Sequence, residues 1–179
     1  MVEAAAYSRH EVLRDGRRME IRALRPGDRD GLLAAVGRVA PPSLYRRFLG
    51  AKHGFSEREV AFFSNVDFIN HVALVAVMPE DGRETIVGGA RYIVAQPGEA
   101  EVAFTVVDDY QGLGIGTALM SHLVAIAHAA GIRELVADVL SDNAPMLAVF
   151  KKSGFPVSTR RESGVLHVTI QLSSGNTGP

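Results

Sequence analysis

The stretch Val106-Val107-Asp108-Asp109-Tyr110-Gln111-Gly112-Leu113-Gly114-Ile115-Gly116-Thr117 constrains this chain more than any other. It joins an extended, β-branched run at residues 99–107 to a run at 114–130 in which Leu119, Leu123, Ile126 and Ala130 recur at i, i+4, i+7 and i+11. That spacing puts one apolar stripe on a helix, and Gly131 stops it. A glycine-rich strand-to-helix turn is predicted, with the helix N-terminus facing the loop.

Such a turn has a chemical consequence. The first N–H groups of a helix lack internal partners, and the helix dipole is positive there. Glycines let the backbone approach closely and aim its amides at one point, so the loop suits a phosphate or pyrophosphate. Two other phosphate loops fit poorly. A Walker loop needs a Gly-Lys pair, which the chain lacks. A dinucleotide fingerprint starting at Gly112 and Gly114 needs a third glycine where Thr117 stands. The bland alternative is a tight turn with no ligand, and Gln111 before the loop and a full helix after it weigh against that.

The rest of the chain reads as alternating short elements. Asp15-Gly16 between the runs 9–13 and 17–24 is a hairpin signal. Residues 28–39 read as a helix that Pro41-Pro42 ends, with Ser43 capping a helix over 44–49. Ser56 and Glu59 form a capping box for a helix over 57–64. Residues 71–78, 85–95 and 99–107 read as a strand meander. A strand over 135–140, a helix over 144–153 opened by Asn143, and strands over 157–161 and 165–172 complete the order. This is mixed α+β, not a repeating βαβ array.

Composition narrows the function classes. The net charge of −1 over 179 residues gives no basic stripe for nucleic acid. The clusters Arg17-Arg18, Arg46-Arg47 and Lys151-Lys152 read as solvated surface. With no cysteine, disulfides, thiolate catalysis and cysteine-ligated zinc are excluded, and a cytoplasmic setting is expected. The apolar run 72–78 is too short to span a bilayer, so no membrane partner is expected. His122 and His128 lie six residues apart on one helix and face different ways. No metal site is expected, and no Gly-x-Ser-x-Gly elbow is present.

The run Gln111-Gly112-Leu113-Gly114-Ile115-Gly116 resembles the Gln/Arg-x-x-Gly-x-Gly/Ala signature of the GNAT superfamily of acyl-CoA-dependent N-acyltransferases. Asn143 through Phe155 resembles its second cofactor segment, an asparagine opening a helix that ends in Gly-Phe. The resemblance covers nearly the whole chain. It implies a central mixed, mostly antiparallel sheet with helices on both faces, and acetyl-CoA as co-substrate. Residues 1–18 would be an N-terminal extension forming a hairpin with the first core strand, 19–172 the acyltransferase domain, and 173–179 a disordered tail. By the same resemblance, the backbone of Phe104, Thr105 and Val106 pairs with the pantetheine arm. Gln111 and the amides of Gly112, Leu113, Gly114, Ile115, Gly116 and Thr117 hold the pyrophosphate, and Asn143, Met146 and Phe150 border the arm. Asn143 also has a plain reading as a helix N-cap.

Amine acylation needs a base. A free lysine with a pKa near ~10.4 is neutral in only about one molecule in 2,500 at pH 7, a deficit of roughly 4–5 kcal/mol. Glu101 is the candidate. Strand alternation puts it on one face with Ala103 and Thr105, opposite Val102, Phe104 and Val106. Five strand residues span roughly 17 Å, which suits an extended pantetheine arm anchored at the loop. Glu99 has the same parity but lies nearer the strand's start, and either glutamate could be plain solvated surface. Many family members protonate the leaving thiolate with a tyrosine in the second segment. Here that position is Phe150, which has no proton to give.

Four segments resemble one branch, the bacterial Pat-type protein-lysine acetyltransferases: Leu13-Arg14-Asp15-Gly16, Ser43-Leu44-Tyr45-Arg46-Arg47-Phe48, Asn65-Val66-Asp67 and Leu140-Ser141-Asp142-Asn143-Ala144-Pro145-Met146. Glu101-Val102-Ala103-Phe104 matches where that branch carries its catalytic glutamate. The resemblance implies an acceptor lysine on a protein, typically an AMP-forming acyl-CoA synthetase. A small amine or antibiotic as acceptor, and a non-catalytic acyl-CoA-binding module, are the alternatives.

Overall fold

The computed structural model describes residues 3–48 and 55–173. One eight-stranded sheet organises them, in the order β1 (Ser8–Val12), β2 (Arg18–Ala23), β3 (His71–Glu80), β4 (Arg83–Gln96), β5 (Glu99–Val106), β6 (Glu134–Leu140), β8 (Val165–Gln171), β7 (Val157–Glu162). Every neighbouring pair is antiparallel except β5–β6. Parallel neighbours need a crossover, here helix α4 (Ile115–Ala129). The architecture is the expected α+β arrangement.

Helices cover both faces. α1 (Arg29–Gly37), α2 (Pro41–Phe48) and α3 (Glu57–Ser64) lie on one side, where Leu32, Arg47 and Phe63 surround a small pocket with Ile86, Arg91 and Ala103 of the sheet. α4 packs on the other, where Leu119, Met120, Leu123 and Ile126 are buried against β3, β4 and β5. α5 (Ala144–Lys151) packs beside α4. α4 and α5 approach closely at Gly116, where a Cβ would meet Val149 Cγ2 at 3.2 Å and Val149 would have to give slightly to admit it. β3 is buried from His71 to Met78, as a central strand covered on both faces must be.

The start of α2 differs from the sequence reading. Pro41-Pro42 open α2 instead of merely ending α1, because proline lacks only an N–H that the first helical turn leaves unpaired anyway. Ser43 therefore sits inside the helix, and its Oγ donates to Asp108 Oδ2 at 3.4 Å rather than capping. The expected helix end at Leu49 and the tail beyond residue 173 lie outside the described residues. The Ser56–Glu59 capping box is present with both hydrogen bonds.

The parallel β5–β6 pairing is short. Its register joins Glu99, Ala100 and Glu101 to Glu134, Leu135 and Val136 and then stops. Beyond it, Val102–Val106 of β5 has no partner on the β6 side, while β4 remains paired through Val106. The two strands splay, and a cleft opens between them.

Candidate active site

The cleft has a volume of about 510 Å³, within the range of small-molecule sites. Strand β5 forms one wall with residues 101–106, and Ala137, Asp138 and Val139 of β6 form the other. Its floor at one end is the glycine loop.

The loop is built as its composition requires. Gly112 and Gly114 adopt φ of +78° and +90°, where a side chain would be strained. None of the amides of residues 112–117 donates to a protein acceptor among the described residues. Six donors are thus left at the positive end of a 15-residue helix. A short 3-10 turn, Asp108–Tyr110, precedes them. It is held by Ala40 N and Ser43 Oγ on the Asp108 carboxylate and by the Tyr110 hydroxyl, which donates to Glu80.

Other expected residues assemble around this cradle. Gly112, Gly114, Ile115, Gly116 and Thr117 line the cleft together with Phe104, Thr105, Val106, Asn143, Met146 and Phe150. Leu113 is partly buried against the core instead. Gln111 lines the cleft, but its Nε2 is turned back to the Val106 carbonyl at 3.1 Å, which stiffens the entry to the loop. Asn143 lines the cleft and caps a helix. Its Oδ1 caps α5 by accepting from Met146 N at 3.3 Å, while Nδ2 has no hydrogen-bond partner among the described residues. Phe150 is 1% exposed and meets Phe104 edge-to-face at 6.1 Å. Phe150 thus reaches the cleft as a hydrophobic wall.

Glu101 is exposed on β5 and lines the cleft, five residues from the end of the strand. Phe104, Val102 and Ala100 on the opposite parity are buried, so the alternation expected from the sequence holds. Glu99 projects elsewhere, with its Oε2 accepting from Gln96 Nε2 at 2.9 Å.

Sequence reasoning did not assign site roles to two arginines that line the cleft, Arg47 and Arg14, or to Arg91, which lines a neighbouring pocket together with Arg47. Arg47 of α2 lines the cleft near Glu101. Burial draws its pKa down to about 10, and the charge of Glu101 partly offsets that. Arg91 of β4, opposite Ala103 in the ladder, is likewise drawn down to about 10 by burial and by the Arg47 charge. Arg14, from the β1–β2 turn, lines the cleft at the glycine loop. Arg47 and Arg14 lie in segments that stand out in the sequence, but no local pattern says where a helix or hairpin will dock. No group of three or more His, Cys, Asp or Glu side chains able to hold a metal ion occurs among the described residues.

Known proteins similar to this chain share one family. The family model for the acetyltransferase (GNAT) family matches residues 43–155. An acetyltransferase of Pseudomonas aeruginosa is 37% identical over 126 residues, covering 70% of this chain and 68% of that protein. Acetyltransferase Pat of Mycolicibacterium smegmatis is 32% identical over 169 residues, 93% of this chain, which spans only 50% of that longer protein. The crystal structure of the GNAT domain of S. lividans PAT superposes with a TM-score of 0.82 at 32% identity, covering 92% of this chain and 96% of that one. The chain belongs to the acetyltransferase (GNAT) family and is an acyl-CoA-dependent N-acetyltransferase with acetyl-CoA as its co-substrate.

Proposed function

We propose that this enzyme is a protein-lysine N-acetyltransferase, that its acceptor lysine lies on an AMP-forming acyl-CoA synthetase, and that Glu101 is the general base. The observation that carries the reading is Glu101 itself, an exposed carboxylate inside the cleft, on the last β5 residue that pairs with β6 before the two strands splay. The 32% identity to Pat across 93% of this chain supports a protein acceptor. No described helix is long and apolar enough to cross a membrane, and we place the reaction in the cytoplasm.

Acetyl-CoA supplies an activated thioester. The chain's residues do the rest. The free amides of residues 112–117 bind the pyrophosphate, and the unpaired β5 edge at Phe104, Thr105 and Val106 directs the pantetheine arm toward Glu101. Gln111 orders the loop for this, since its side chain is already bonded to the Val106 carbonyl. Asn143 Nδ2, Met146 and Phe150 bound the arm on the α5 side. Glu101 takes the proton from the lysine ammonium, directly or through water, and so supplies the neutral amine. Phe150 offers no acid. The thiolate, with a free pKa near ~8.5, departs without a tyrosine and takes its proton from solvent.

The test is to incubate the enzyme with acetyl-CoA and cell lysate, identify acetylated lysines by mass spectrometry, and then measure kinetics on the acceptor found. Glu101→Gln is expected to lower kcat at neutral pH by about 10²–10⁴ with little change in KM for acetyl-CoA. Near-normal turnover of that variant removes Glu101 as base. Label found only on small amines replaces the protein acceptor with a small one, and binding without transfer to any acceptor leaves a binding module.

A further inference from the structure

We infer that Arg14, in the turn of the N-terminal hairpin, is a ligand for the co-substrate pyrophosphate and completes the cradle begun by the glycine loop. Four observations carry it. Arg14 Nε lies 3.7 Å from where a Cβ on Gly114 would stand, so its stem rests on the left-handed glycine that opens α4. The side chain lines the same cleft as the loop amides. Among the described residues it makes no hydrogen bond and no ion pair. It lies outside residues 43–155, the part of the chain that the family match covers.

The hairpin fixes the backbone that carries this side chain. Leu13 is buried, its amide donates to Arg17 O at 2.8 Å, and Gly16 N closes the turn on Leu13 O at 2.9 Å. Arg17, the next arginine, is committed elsewhere: it pairs with Asp15 at 2.7 Å and stacks over Tyr110 at 5.3 Å. Strand β1 is tied to α4 by a chain in which His122 bridges the Tyr7 hydroxyl at 2.5 Å and Glu11 Oε1 at 2.7 Å. These bonds join the hairpin that carries Arg14 to the helix whose N-terminus carries the loop amides.

Charge points the same way. Six amides supply only the partial charge of a helix end, whereas a pyrophosphate brings about two full negative charges. A guanidinium answers that mismatch with parallel N–H donors suited to phosphate oxygens. The nearby acids do not compete for Arg14. Asp108 is bonded to Ala40 N and Ser43, and Asp109 lies 3.6 Å from Arg38.

The experiment is calorimetric binding, which needs no acceptor and so is independent of the Glu101 and lysine assignments. Wild type, Arg14→Met and Arg14→Lys are titrated with CoA, with dephospho-CoA, which lacks the 3′-phosphate, and with pantetheine, which lacks all phosphate, the last by competition. Loss of one charge-assisted contact predicts roughly a 10- to 100-fold weaker Kd for CoA in Arg14→Met. The same loss is expected for dephospho-CoA, none for pantetheine, and partial recovery in Arg14→Lys. An unchanged Kd for CoA overturns the inference. So does equal weakening of pantetheine, which would mean a structural effect. An effect confined to CoA and absent for dephospho-CoA also overturns it, because Arg14 would then read the 3′-phosphate.

Discussion

His71, Arg91 and Glu101 share one face of the sheet, since His71 pairs with Ile93 and Ile93 with Glu101. His71 Nε2 lies 2.8 Å from Arg91 Nη1. Arginine can only donate, so Nε2 accepts and the imidazole is neutral. Burial first, and the Arg91 charge second, push its pKa down to about 4, with Asp67 opposing weakly. The unfolded chain holds that proton below about pH 6.5, so between pH 6.5 and 4 the unfolded state binds more protons than the folded one. Stability from this group is therefore full above pH 6.5 and is lost as pH falls toward 4. Going from pH 7 to 5 is expected to cost about 1–2 kcal/mol after allowance for solvent screening. His71→Gln keeps an acceptor for Arg91 and removes the titration. Urea melts at the two pH values should show a smaller difference in that variant, and an unchanged difference would move the effect to another group. None of this was legible in the sequence, where His71 is simply the first residue of an apolar run; Arg91, to which it is bonded, is 20 residues away along the chain.

At the scale of elements, local signals worked where the physics is local. The capping box at Ser56, the Asp-Gly hairpin and the stripe of α4 all involve groups within a turn or two of each other, and each was readable. The opening of α2 at Pro41 was not, because proline both ends and begins helices, and only the contact of α2 with the splayed strands decides. A second element junction was invisible for the same reason. Arg22 of β2, 4% exposed in its side chain, is paired in two hydrogen bonds of 2.7 and 2.9 Å with Asp28, which ends the 3-10 turn before α1. Burial alone would raise the Asp28 pKa, but the Arg22 bonds and the Arg25 amide overcome it and hold the carboxyl below its usual range. Asp28→Asn leaves the Arg22 guanidinium buried without its counter-charge, with Nε already unpaired. A loss of about 3–5 kcal/mol is expected, measurable as a fall in the denaturation midpoint at constant slope. A change under about 1 kcal/mol would mean that water reaches Arg22.

The whole molecule is divided by its own cleft. The strands from β1 to β5 and those from β6 to β8 are joined in the sheet by three register pairs, Glu99–Glu134, Ala100–Leu135 and Glu101–Val136. The glycine loop was legible because it is contiguous, whereas the splay was not, since it depends on where two strands separated by α4 stop pairing. The place of Arg14 and Arg47 in the cleft was not legible for a related cause: each reaches it only through the docking of a hairpin or helix from one half. A ligand lying between β5 and β6 supplies contacts that the ladder lacks, and it binds only the folded chain. At a concentration of 100 Kd, acetyl-CoA should therefore add about 2.7 kcal/mol of stability, raising Tm by roughly 5–10 °C for a protein of this size. Hydrogen exchange should slow at the amides of residues 112–117 and along Val102–Val106 and change little in β1 and β2. Protection spread evenly over the sheet would instead mean that the ligand stabilises the fold without bridging the splay. Absence of any Tm shift at saturation would contradict a cleft that couples the two halves.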